Sequence, residues 1–240
     1  MIPFRLVGLR DSLASVAITA RTSLVTVTDA ALGRSTDARA DANLASWASA
    51  LIRTAGVELD VTGQEHAEPG EPFVIMSNHA SHFDVPIVFC AVPGPMRMIA
   101  KKELFQIPVF GRAMTAAGFV RIDRSDHARA VASLDACLGL LTRGTRVWIA
   151  PEGTRSRNGA LLPFKSGGFH LALDAGVRIL PVALIGTAAV VARGSAVVHH
   201  GQTVGVRILP PIDPRAWGLE RKRELVATVR DAIAGALTSG

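Results

Sequence analysis

The residues best suited to chemistry lie in the run Asn78-His79-Ala80-Ser81-His82-Phe83-Asp84. An imidazole with a carboxylate five residues on can form a dyad if the chain turns between them. Asp84 would then accept a hydrogen bond from one ring nitrogen and fix the tautomer, while the other nitrogen takes a proton from a hydroxyl. The spacing of His79, His82 and Asp84 also permits a metal, but no further histidine cluster or cysteine pair stands nearby, which counts against zinc. A second segment, Ala150-Pro151-Glu152-Gly153-Thr154-Arg155-Ser156-Arg157, follows an apolar run. Gly153 lets a backbone approach a ligand, and Thr154, Arg155 and Ser156 can donate hydrogen bonds to an anion; a polar turn with a surface arginine is the plainer reading. The patterns GxSxG, GxxxxGK[ST] and GxGxxG do not occur, so a serine-hydrolase triad or a nucleotide loop lacks its usual support.

These residues need a scaffold, and from Pro72 onward short apolar runs alternate with helical patterns. Residues 73–76, 96–100, 119–122, 147–150, 178–185 and 204–209 read as strands, and 85–91, 110–117, 128–141, 167–175 and 219–237 as helices. Such alternation predicts an α/β fold with a mostly parallel central sheet flanked by helices. Ligands gather beyond the carboxyl ends of strands in such sheets, and His79, Arg124 and Glu152 each sit at a predicted strand end. The first sixty residues differ. Ile2, Leu6, Leu9, Leu13, Val16, Ala20, Leu24 and Val27 recur at helical spacing, a polar stretch follows over 33–43, and Leu44, Trp47, Leu51 and Ile52 mark a second helix. The stripe either packs on the main domain or lies in a bilayer interface, helped by Arg5, Arg10 and Arg21. The organisation is therefore an N-terminal helical, membrane-associating element over 1–60 and a catalytic domain over 61–240.

Composition narrows the class. Of 240 residues 49% are hydrophobic and 19% charged, enough to bury a full core. The mean hydropathy of +0.31 raises the question of a membrane span. However, the longest charge-free run, 179–192, is broken by Pro181 and Gly186 and falls short of the roughly 20 residues a spanning helix needs. The start lacks the pattern of a removable signal. Cys90 and Cys137 form no CxxC, which fits a reducing compartment rather than a disulfide scaffold. The net charge of +6 is concentrated: residues 97–157 hold 11 Lys/Arg against 5 Asp/Glu, and the remainder is neutral. A solvated face, a nucleic-acid groove and a small-phosphate site near an anionic membrane compete to explain it. No interleaving of aromatic and basic residues is visible, which argues against nucleic acid.

Taken together the segments resemble the glycerophospholipid acyltransferase superfamily, the 1-acylglycerol-3-phosphate (PlsC-type) acyltransferases. Four blocks match in order: 78–84 as NHxSxxD, Gly118-Phe119-Val120-Arg121-Ile122-Asp123-Arg124 as a glycine leading to an Asp-Arg end, Glu152-Gly153-Thr154-Arg155-Ser156 as EGTRS, and Leu180-Pro181-Val182-Ala183 as the last. The resemblance implies transfer of a fatty acyl group from acyl-CoA or acyl-carrier protein to lysophosphatidate. Glycerol-3-phosphate or another lyso-lipid is the alternative acceptor, and a noncatalytic lipid-binding module the alternative class. It implies His79 as general base oriented by Asp84, with Arg155 and Arg124 on the acceptor phosphate. Glu152, Gly153 and Thr154 would shape that pocket, Pro181 would border a substrate channel, and Lys101 would be a further phosphate contact. Arg121 occupies a usually apolar slot. No metal or redox cofactor is implied, and neither cysteine is needed as nucleophile. The lipid acceptor implies a peripheral or monotopic protein on the cytoplasmic face of the cell membrane.

Overall fold

Unbroken apolar runs such as Val74-Ile75-Met76 have no polar face to show to water, so they become strands covered on both sides. The computed structural model describes residues 4–123, 127–157 and 159–238. In chain order its elements are α1 (Phe4–Ala31), α2 (Asp37–Thr54), β1 (Glu58–Thr62), β2 (Val74–Ser77), α3 (Asp84–Ala91), β3 (Met96–Lys101), α4 (Phe110–Ala116), β4 (Val120–Ile122), α5 (His127–Leu141), β5 (Arg146–Ile149), α6 (Gly167–Ala175), β6 (Ile179–Ile185), α7 (Thr187–Val190), β7 (Thr203–Ile208) and α8 (Lys222–Thr238). The seven strands lie in the order β1-β7-β6-β2-β5-β3-β4. All pairs are parallel except β6 with β7. One face, through Ile75, Trp148, Leu180 and Val182, packs against Leu51 and Ile52 of α2 and Ile87 and Val88 of α3. The other, through Val74, Met76 and Val147, meets α5, α6 and α8 at Cys137, Phe169 and Val229. The three-layer α/β expectation holds.

The edges differ from expectation. β1 is a half-exposed edge strand that periodicity does not reveal, because its ELDVT alternation is short and polar. It pairs with β7 from Glu58 to Thr62, so a boundary at 60/61 cuts a strand of the catalytic sheet. α2 is likewise part of that core, and it begins inside the stretch read as polar: the Thr36 side chain accepts the Arg39 N–H and caps it. The four-residue α7 is too short to show a period.

α1 carries the predicted stripe and turns most of its part from Leu9 onward outward; Ile2 lies outside the described residues. Leu9, Leu13, Val16 and Leu24 are 55%, 63%, 68% and 56% exposed, whereas Asp11, Ser23, Thr26 and Asp29 on the opposite side are buried. A polar face can pack inward because most of its groups are satisfied, Ser15 Oγ being, among the described residues, the one buried hydroxyl of the helix without a partner. Ser12, Thr19, Ser23 and Thr26 each donate to the carbonyl four residues back. Trp47 Nε1 donates to Thr19 Oγ1 at 3.1 Å, Arg39 grips Asp29, and Asp11 lies 2.7 Å from His200 Nδ1. Among the described residues no helix is long and apolar enough to cross a membrane.

Candidate active site

The chain leaves β2 at Ser77 and must turn sharply before α3 begins at Asp84. Asn78 fixes the exit: its side-chain amide donates to the Leu184 carbonyl at 2.8 Å and accepts the Leu184 N–H at 2.7 Å, a two-point clamp onto β6. Ser81 Oγ donates to the Val191 carbonyl and accepts the Phe83 N–H. The turn brings His79 back to α3, with Nδ1 2.7 Å from Asp84 Oδ2. That same oxygen accepts the backbone N–H groups of Ala80 at 2.8 Å and Ser81 at 2.9 Å. Three nitrogens thus converge on one oxygen of a fully buried carboxylate in the first turn of a helix, while its other oxygen, Oδ1, is buried without a partner. With Nδ1 engaged, Nε2 is the ring nitrogen left for a substrate. The indole of Trp148 meets the His79 ring edge-on, centroids 6.0 Å apart, and its Nε1 donates to Ser77 Oγ at 3.0 Å.

The EGTRS segment grips the same loop from below. Glu152, only 3% exposed, accepts the His79 N–H on Oε1 at 2.7 Å and the Leu162 N–H on Oε2 at 2.9 Å. Burial raises the Glu152 carboxyl above its ordinary range, against the lowering effect of those two N–H donors. The Ser156 N–H donates to the His79 carbonyl at 2.7 Å, so both polar groups of the His79 backbone are held by this segment. Glu152 thus reaches the site through the His79 backbone, not through a surface of its own. Gly153 has φ 70°, a conformation that L side chains rarely adopt, and the atoms nearest a Cβ built there are those of the Lys165 side chain. Thr154 is exposed.

Arg155 is half-buried, and its Nη1 is buried without a hydrogen-bond partner. Burial, and next the nearby charge of Arg193, lower its guanidinium from the ordinary value, with Asp84 acting in the opposite sense. Arg193, on the exposed loop after α7, donates from Nη1 to the Arg155 carbonyl. A guanidinium with an orphaned donor, and a second one tied to its main-chain carbonyl, can together receive an anion. Arg193 lies outside every motif read in the sequence, in an Ala-Arg-Gly turn that carries no local signal.

The other expected residues fall in different places. Lys101 ends β3, exposed. Its charge acts on His82, whose imidazole is held below the ordinary range by desolvation, then by Arg155 and His79, and more weakly by Lys101. Arg124 lies outside the described residues. Arg121 is exposed on β4, the edge strand three positions from β2, and lines a cavity of about 670 Å³ with Arg143 and Lys102. That cavity is at the sheet's outer edge and not at the dyad. Pro181 departs from expectation: it is buried within β6, in register with Met76, and its carbonyl accepts the Leu209 N–H, a sheet position with no surface to border a channel. Burial raises both thiols, that of Cys137 to about 12, so neither is a ready nucleophile. Among the described residues no group of three or more His, Cys, Asp or Glu side chains is placed to hold a metal ion.

The sequence and the fold can both be compared with known proteins. A family model described as Acyltransferase matches residues 58–185. Over 158 residues the chain is 38% identical to human 1-acyl-sn-glycerol-3-phosphate acyltransferase alpha, covering 65% of this chain and 56% of that one. Over 176 residues it is 34% identical to the 1-acyl-sn-glycerol-3-phosphate acyltransferase of Salmonella typhimurium, covering 73% and 71%. The match thus spans little more than half of the human relative's length, and more of the bacterial one's. The crystal structure of PlsC from Thermotoga maritima, titled a 1-acyl-sn-glycerophosphate (LPA) acyltransferase, aligns with a TM-score of 0.80 over 99% of this chain and 97% of that one at 24% identity, a likeness of fold.

Proposed function

From the premise that this chain belongs to the acyltransferase family, we propose that it transfers a fatty acyl group to the free hydroxyl of lysophosphatidate, giving phosphatidate. The observation that carries the reading is the dyad: His79 Nδ1 2.7 Å from a triply hydrogen-bonded Asp84 oxygen, with Nε2 left free for a substrate. The hydroxyl of the acceptor gives its proton to His79 Nε2 as its oxygen attacks the thioester carbonyl of the acyl donor. The buried Asp84 carboxylate stabilises the imidazolium so formed. The tetrahedral intermediate collapses, the carbon–sulfur bond breaks, and the thiolate takes the proton back from His79. Donor atoms balance in this scheme, and no step calls for a metal or redox cofactor. Arg155 and Arg193 hold the acceptor's phosphate, which supplies the anion that the orphaned Nη1 lacks.

The outward stripe of α1 supports a membrane-bound enzyme, because an acyl-chain layer would take Leu9, Leu13 and Val16 out of water. The cationic side chains of Arg10 and Arg21 on the same helix suit anionic head groups of the cytoplasmic leaflet. The test is an acceptor panel offered to the purified chain in detergent, with palmitoyl-CoA and with palmitoyl-acyl-carrier protein as donors, following free thiol and weighing the lipid product. Phosphatidate formed from lysophosphatidate, with little turnover on a phosphate-free monoacylglycerol, is expected. Equal turnover on both would remove the phosphate reading, and donor hydrolysis without acylated lipid would remove the transferase.

A further inference from the structure

The reading of α1 as a membrane-facing helix leaves a second exposed apolar feature without a role. Gln106, Ile107, Pro108 and Val109 are all exposed, Ile107 by 46% and Val109 by 38%. The Phe110 N–H donates to the Pro108 carbonyl at 2.7 Å, closing a three-residue turn centred on Val109 with φ 63° and ψ −55°. This is the strained hand of the γ-turn. Among the described residues Val109 is the only non-glycine at positive φ, while fourteen glycines occupy such positions. The chain uses glycine elsewhere at this conformation, yet here it holds a β-branched side chain, the type least suited to it. Packing does not explain the choice, since Val109 and Ile107 stand outside both core clusters.

The turn stands on a firm base. Leu104, Phe105 and Phe110 pack onto the core, and the Gly111 N–H donates to the Ile107 carbonyl. A Cβ at Gly111 would collide with the Phe105 carbonyl, so the chain closes tightly beneath the tip. Exposed Lys101, Glu103 and Arg112 flank it in sequence, and α4, which follows directly, packs along α1. An apolar tip with basic residues near it in sequence, leading into the helix that packs along α1, suits a bilayer: acyl chains around the tip and phosphates near Lys101 and Arg112.

We infer that the turn at 106–110 is a second membrane contact, a prong that inserts Ile107 and Val109 beside α1. This rests on the membrane reading of α1 proposed above. A helix alone can roll about its axis, whereas a helix and a prong define a plane. The prong grows from the carboxyl end of β3, the same end of the sheet at which His79 leaves β2, so it turns the dyad toward the lipid phase.

Val109→Gly and the pair Ile107→Asp with Val109→Asp test it in the full chain. Sedimentation with vesicles of phosphatidylcholine and a minor share of phosphatidylglycerol reads partitioning, and a melting curve reads the fold. Val109→Gly relieves the backbone, so its melting temperature stays or rises while partitioning weakens several-fold. The aspartate pair weakens partitioning about tenfold or more, and turnover falls on vesicle-borne acceptor but not on a short-chain soluble one. A lower melting temperature for Val109→Gly, or undiminished partitioning of the aspartate pair, would overturn the prong. Unchanged partitioning of that pair, with Leu9→Asp/Leu13→Asp released from vesicles, leaves α1 as the sole contact. A wild-type chain that ignores vesicles overturns both.

Discussion

Replacing Glu152 by glutamine separates a residue that touches substrate from one that holds the catalytic loop. The carboxylate accepts two backbone N–H groups, one on each oxygen, in a nearly water-free place. A glutamine amide offers one acceptor oxygen, and its NH2 then faces the other N–H. One charge-assisted bond is lost and a buried donor left unpaired, at a cost of about 1–3 kcal/mol. At roughly 2–4 °C per kcal/mol for a chain of this size, the melting temperature drops by about 2–12 °C. If the His79 N–H is the group released, its carbonyl remains tied to Ser156, so the ring loses alignment rather than its place. Misplacement on the scale of an ångström costs up to about 100-fold in turnover. The acceptor's KM should stay within a few-fold. Burial raises the Glu152 carboxyl, so the folded state holds its proton where the unfolded chain has released it. Stability from this group therefore falls as pH rises from the ordinary carboxylate range through the raised value. Glutamine, which does not titrate, abolishes that slope. A thiol-release assay beside melting curves across pH reads all of this. An unchanged melting temperature with only the acceptor KM raised would refute the clamp and put Glu152 on the substrate.

Four further outcomes are expected. His79→Ala and Asp84→Asn should each lower turnover by about 10²–10⁴-fold while the chain still binds lipid, since both remove general-base catalysis; His82→Ala should be mild, and parity with His79→Ala in the thiol assay would point to a different site. Arg155→Ala should weaken lysophosphatidate by about 10- to 150-fold, the range of a charge-assisted contact, with Arg155→Lys recovering only part; equal loss on phosphate-free acceptors would make the side chain structural. Arg193→Ala should raise the acceptor KM less than Arg155→Ala does, and the double variant should fall short of the product of the two if both grip one phosphate. Leu9→Asp/Leu13→Asp/Val16→Asp should leave the melting temperature nearly unchanged, because these side chains already face outward, and should release the chain from vesicles in a flotation assay.

Where the physics is local, the sequence was legible. Buried runs such as 73–76 and 178–185 announce strands, and the His79–Asp84 spacing announces a dyad that the turn then closes. Where a residue acts through distant partners it was not. Asn78 reaches Leu184 and Arg193 meets Arg155 only once β6 and the loop after α7 are in place. Glu152 has the charge of a ligand but spends it on backbone N–H groups of His79 and Leu162. The α1 stripe shows an amphipathic helix and no more: which side faces the protein depends on whether the polar side can satisfy itself, and four of its hydroxyls, those of Ser12, Thr19, Ser23 and Thr26, do so on their own helix. β1 escaped notice because an edge strand of five residues with two acidic ones has little apolar signal.

That acidic strand has a bearing on crowding. Chains gathered on a surface meet at far higher local concentration than in solution, and an open parallel sheet offers unpaired backbone at both margins. Here one margin is β4, only three residues long, and the other is β1, which carries exposed Glu58 and Asp60, the latter paired with Arg207. Shortness at one side and charged side chains at the other are features that oppose the edge-to-edge pairing by which crowded sheets aggregate.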